Sequence, residues 1–160
     1  MEFPIEAFCL YGNDGGKIAM AINEAPGFPY RTCVEGGYDI ICSLTIDVGC
    51  YHVESERYFS ATGALYRFSA ELNECYKKLE GIAQYKMLWE SDLLFSVEMI
   101  SRGHAVIKGT YRDRPGLPNN LEFEMETDQS WFLATIQSIE KLRDIFGGFE
   151  GIKQLINSSL

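Results

Sequence analysis

This sequence predicts an α+β fold, an antiparallel β-meander sheet with amphipathic helices packed on one face, and three observations lead there. Four segments between Ala83 and Thr127 keep their apolar residues at odd positions. Two others, Ser60 to Gly81 and Gln129 to Phe146, repeat apolar residues every three or four positions. Between them, in Leu121 to Phe146 (LEFEMETDQSWFLATIQSIEKLRDIF), the two-residue alternation becomes a helical repeat at Asp128.

Taken in order, Phe3 to Tyr11 and Lys17 to Ile22 are β-rich and flank Gly12-Asn13-Asp14-Gly15-Gly16, residues suited to the positive φ angles of a hairpin loop. Glu24 to Gly37, with two prolines and three glycines, reads as a surface connection. From Tyr38, residues Ile40, Cys42, Leu44, Ile46 and Val48 share one face of a half-buried strand. A two-residue turn at Gly49-Cys50 would set Val48 opposite Tyr51, Asp47 opposite His52 and Ile46 opposite Val53.

Leu65, Phe68, Leu72, Tyr76 and Leu79 form one helical stripe, with Ser60 or Thr62 as candidate cap and Gly81 as candidate left-handed stop. The odd-numbered apolar sets come next: Ala83 to Trp89, Phe95 to Met99, Ala105 to Tyr111, and Leu121 to Thr127. Turns at Glu90-Ser91-Asp92, Ser101-Arg102-Gly103 and Asp113 to Asn119 preserve that parity, which predicts a four-stranded antiparallel sheet with one wet face. Trp89 and Trp131 border these elements and are expected in the core or at its edge. Asp128 is placed to cap a helix beginning at Gln129, with Phe132, Ile136, Ile139, Leu142 and Phe146 inward and Gly147-Gly148 as its stop. A short helix from Phe149 to Asn157 is expected last. Without internal repeats or low-complexity tracts, residues 1–160 read as one α+β domain.

The charge balance is acidic, 23 Asp plus Glu against 14 Lys plus Arg, for a net charge of -9. Nucleic-acid binding requires a basic face to displace counterions, and the longest Lys/Arg run is Lys77-Lys78. An acidic surface instead steers basic proteins toward it. The five cysteines are odd in number and lack a Cys-x-x-Cys pair, which argues against a disulfide framework and a zinc site. MEFPIEAFCLYG has no basic segment followed by an apolar run, and no window is long enough to span a membrane, so a cytoplasmic location is expected.

Glu122, Glu124 and Glu126 form the strongest acidic constellation, about 6.6 Å apart along one strand face. Carboxylates at such spacing could flank a glycosidic bond or bind a cation, but an open strand face lacks the burial that would separate their proton affinities. A solvated face paired with Lys108 and a docking surface for a basic partner are the stronger readings. His52 and His104 have no ligand or dyad motif around them. Ser43, Ser69 and Ser130 lie outside any Gly-x-Ser-x-Gly elbow, and Gly12 to Gly16 lacks the Lys-Ser/Thr of a phosphate loop. No catalytic residue, metal ligand or cofactor is predicted.

The run from Gly103 to Leu133, above all Leu121, Phe123, Thr127, Asp128, Gln129 and Ser130, resembles the WapI-type immunity family of bacterial polymorphic toxin systems. Tyr38-Asp39, the Ala-Glu-Leu segment at Ala70 to Leu72 and the Leu-Glu-Gly exit at Leu79 to Gly81 extend the resemblance over residues 38–146. It implies a small cytoplasmic protein that binds and neutralises a toxin domain without a reaction of its own. Many such toxins are basic nucleases, so Glu122, Glu124 and Glu126 are the expected partner-binding residues. The alternatives are a small-molecule-binding or catalytic α+β domain with a pocket between helices and sheet, and an adaptor subunit. No particular oligomeric state is predicted.

Overall fold

The computed structural model describes residues 1–89, 92–114 and 116–152. Eight strands form two four-stranded antiparallel meanders. The first contains β1 (Ile5–Tyr11), β2 (Lys17–Glu24), β3 (Asp39–Val48) and β4 (Tyr51–Ala61), hydrogen-bonded in that order. Helix α1 (Thr62–Lys78) leads to the second, with β5 (Ile82–Tyr85), β6 (Leu93–Ser101), β7 (His104–Arg112) and β8 (Asn120–Asp128). A 3₁₀ turn (Gln129–Trp131) then opens into α2 (Phe132–Phe146).

The α+β class and its antiparallel meander are present, and the sequence's separate hairpins become a second complete sheet. Both sheets and both helices feed one hydrophobic cluster. Phe8 of β1 lies 6.1 Å from Phe68 of α1 and 6.3 Å from Phe95 of β6. Tyr85 stacks on Phe95 at 5.3 Å. Its buried hydroxyl pairs with Tyr58 at 2.8 Å and Ser60 at 2.7 Å, which joins the end of β4 to β5. Aromatic rings thus meet between the sheets and the helices.

Register follows pattern closely in the second sheet. Ala83, Tyr85, Phe95, Val97, Met99, Ala105, Ile107, Tyr111, Phe123 and Thr127 are buried, while Glu122, Glu124 and Glu126 are exposed. The β3–β4 turn also behaves as expected: Val48 faces Tyr51, Asp47 faces His52 and Ile46 faces Val53. Gly49 takes φ 58°, as the first position of that turn requires.

Several local expectations fail for physical reasons. Neither Ser60 nor Thr62 caps α1, whose N-cap is Ala61 without a side-chain bond. Both hydroxyls have long-range partners instead: Ser60 joins Tyr85, and Thr62 Oγ1 accepts the Tyr38 N–H at 3.0 Å. The left-handed stop is Leu79, φ 57°, with its N–H on Cys75 O, two residues before Gly81. The helix expected at Gln129 starts as a 3₁₀ turn, although Asp128 caps it as foreseen. The first odd-parity segment stays in the sheet only to Tyr85, and Trp89 beyond it is 69% exposed rather than core. Residues 149–152 form a turn closed by a Gly148–Gly151 bridge instead of a helix, and residues 153–157 of that expected helix lie outside the described residues. So do Glu90 and Ser91 of the proposed turn before β6.

Candidate interaction surface

Alternation on β6, β7 and β8 sends one set of side chains into the core and the other to the outer face of the second sheet. On that outer face Glu122 stands opposite Thr110, Glu124 opposite Lys108 and Glu126 opposite Val106. Lys108 in turn faces Ser96 of β6, next to Glu98. Its Nζ lies 3.9 Å from carboxylate oxygens of both Glu98 and Glu124, so one cation is shared between flanking strands. Exposed pairs of this length contribute well under about 1 kcal/mol. Arg112, bonded to Asn120 at the end of the same face, is a second cation, and four carboxylates against two cations leave the face negative. Among the described residues Glu122 and Glu126 have no ion-pair partner.

The sequence places the three glutamates together, and the structure adds neighbours it did not reveal. A cleft of about 620 Å³ runs from Glu124 and Glu126 to Asp14 in the β1–β2 loop and Asp47 at the end of β3. Its floor is tight. A Cβ on Gly16 would sit 2.8 Å from Asp47 O, so glycine lets the β1–β2 loop lie against β3. The same loop is tied to β8 by Asn13 N–H on Glu126 O at 2.8 Å, and Thr127 Oγ1 donates to Tyr11 O at 2.7 Å. Asp14 and Asp47 come from the other sheet, far upstream of Glu126, and only the packing of the two sheets brings them to it; no local signal in the sequence could have found them.

Both histidines lie beside carboxylates. His52 Nδ1 bonds Asp47, and its Nε2 lies 3.5 Å from Glu54; first the Asp47 hydrogen bond and then Glu54 hold its pKa above the ordinary histidine value. His104 sits 3.5 Å from Asp128. The backbone N–H of Ser130, 2.9 Å from Asp128 Oδ1, holds that carboxyl below the usual range. Burial pushes the Cys33 thiol up to about 11 and Cys42 up to about 12, so at neutral pH both are protonated and poor nucleophiles. Among the described residues no three His, Cys, Asp or Glu side chains are arranged to hold a metal ion, and no helix is long and apolar enough to cross a membrane.

Residues 9–147 match the model of the Immunity protein WapI-like family. The chain belongs to the WapI-like immunity protein family. No curated protein matches it. The family match starts at Cys9, inside β1, and so takes in the first meander as well as the α1-to-α2 region that carried the resemblance in sequence. This immunity-family chain carries an open acidic sheet face on a scaffold whose interior is packed with aromatic rings.

Proposed function

We propose that this protein is a non-catalytic immunity module that binds a cognate toxin domain in the bacterial cytoplasm and blocks it, and that the toxin's contact surface is basic. The observation that carries the reading is the outer face of the second sheet, where Glu98, Glu122, Glu124 and Glu126, exposed or half-exposed, outnumber Lys108 and Arg112. A negative face this open draws a positive partner by long-range steering and fixes its orientation on contact. Membership in an immunity family supports a protein partner over a metabolite. The acid-lined cleft beside Glu124 and Glu126 has room for lysine or arginine side chains from that partner.

The test is co-expression with the cognate toxin domain, together with binding at two salt concentrations. Reversing all three charges (E122K, E124K and E126K) should weaken binding at least tenfold at low salt and flatten its salt dependence, because screening acts on the attraction the wild type makes. Folding stability should change by no more than about 0.5 kcal/mol, since the residues are exposed. Unchanged affinity and salt dependence would remove these glutamates from the interface.

A further inference from the structure

A strand at the border of a sheet carries backbone N–H and C=O groups with no partner, and folded proteins usually cover them. Three of the four borders here each have at least one outward group held by a side chain or a loop. Thr135 Oγ1 of α2 donates to Cys9 O of β1 at 3.3 Å, and Thr127 reaches Tyr11 O. Gln84 N–H of β5 donates to Glu71 of α1 at 3.1 Å. On β8, Glu126 O is taken by Asn13 of the β1–β2 loop, which closes the C-terminal end of that border and leaves its Glu122 and Glu124 positions open.

β4 differs. Val48 and Tyr51 flank a two-residue turn and so exchange both ladder bonds, and the alternation beyond them makes Ile46–Val53 the next bonded pair. His52 and Glu54 therefore point their N–H and C=O groups away from β3. Neither backbone has another hydrogen bond among the described residues. Both residues are exposed, and the run Tyr51 to Ser55 forms one wall of an open groove of about 590 Å³ whose other wall is Tyr111, Asp113 and Pro118 to Leu121.

We propose that this β4 edge receives an extended strand of the toxin partner, which pairs with the backbone of His52 and Glu54. The chemistry of the groove specifies that strand. One side presents Tyr51, Val53, Tyr111 and Leu121; the other presents Glu54, which shares His52 with Asp47, and Asp113 stands on the far wall. The groove stays net acidic, so a strand that alternates apolar and basic residues suits both sides. Leu121 of the groove directly precedes Glu122 of the acidic face, so one partner can cover both. The inference rests on the immunity reading. Pairing with a second copy of this chain is disfavoured by the net charge of -9 that each copy would bring.

The probe is a synthetic peptide of alternating lysine and valine, with a copy N-methylated along one edge and a glutamate-valine peptide as controls. Hydrogen exchange of the full chain should slow at least tenfold at the His52 and Glu54 amides on adding the lysine peptide, with neither control doing so. Glu54→Pro removes an outward N–H without touching the β3 ladder and should lower peptide affinity at least tenfold, whereas Glu54→Ala retains most of it. Protection confined to β8, equal binding of the N-methylated peptide, or a dimer in which those amides are already protected would each overturn the proposal. Toxin co-expression separates the two readings. Glu54→Pro failing to protect cells while Glu54→Ala protects supports the edge; Glu54→Pro protecting while the triple charge reversal fails overturns it and leaves the acidic face standing; full protection by both overturns both.

Discussion

The two sheets share strand number and antiparallel order but differ in regularity. Pairing in the first is interrupted by three register shifts, at Glu6/Phe8, Ile22/Glu24 and Cys42/Leu44, against one at Met99/Ser101 in the second. Each extra residue bends a strand and exchanges the faces of the residues beyond it. In β4 the exchange is visible: Val53 points inward before the shift, Tyr58 and Ser60 after it. The bend carries β4 from an open groove at Tyr51 to the buried Tyr58–Ser60–Tyr85 hydroxyl cluster. The second sheet, unbent along β7 and β8, keeps one outward parity throughout, with the glutamates of β8 on it. A regular sheet makes a broad surface, and an irregular one makes a graded edge.

The comparison breaks most severely if the rings joining the sheets are removed. Phe95 is nearly fully buried against Phe8, Phe68 and Tyr85, so Phe95→Ala should cost about 3–5 kcal/mol in urea unfolding. Far-UV and near-UV transitions should stay coincident if the two sheets unfold together. A smaller effect separates a glycine of each sheet. A Cβ on Gly109 of β7 would meet Phe123 Cζ at 2.4 Å and Phe95 Cβ at 2.8 Å, and overpacking should cost Gly109→Ala about 1–3 kcal/mol. Gly49 has open space around it, so Gly49→Ala suffers only from its positive φ, about 1 kcal/mol. Equal losses would mean that backbone conformation rather than ring packing sets both costs.

The smallest effect belongs to pH. His52 is raised by Asp47 first and Glu54 second, so its contribution is complete below the unfolded histidine value of about 6.5 and is lost as pH rises through the higher folded value. An NMR titration should place its midpoint above that of an unstructured histidine, and Asp47→Asn should lower it. Asp128 runs the opposite way. Its carboxyl is depressed by Ser130, so its contribution is complete above the ordinary aspartate range and fades as pH falls through the depressed value.

The same regularity decided what could be read in advance. Odd parity from Ala83 to Thr127 carried register and exposure for the second sheet, including the open position of Glu122, Glu124 and Glu126. In β4 the pattern was traceable only as far as Val53, because the shift beyond it breaks the period that reveals a strand. Ser60 and Thr62 look like caps to any local rule, and the buried partners that claim them lie at Tyr85 and Tyr38. Asp14 and Asp47 join the candidate surface only through the meeting of two sheets, which no single strand encodes.

The latch of Asn13 and Tyr11 on β8 bears on stoichiometry. That latch closes the C-terminal end of the β8 border, and helical side chains hold the β1 and β5 borders, so beyond β4 the open backbone among the described residues is at Glu122 and Glu124 of β8. A mass measurement of the complex at excess of either component should read one to one if β4 alone takes the partner strand, and higher if the open part of β8 takes another.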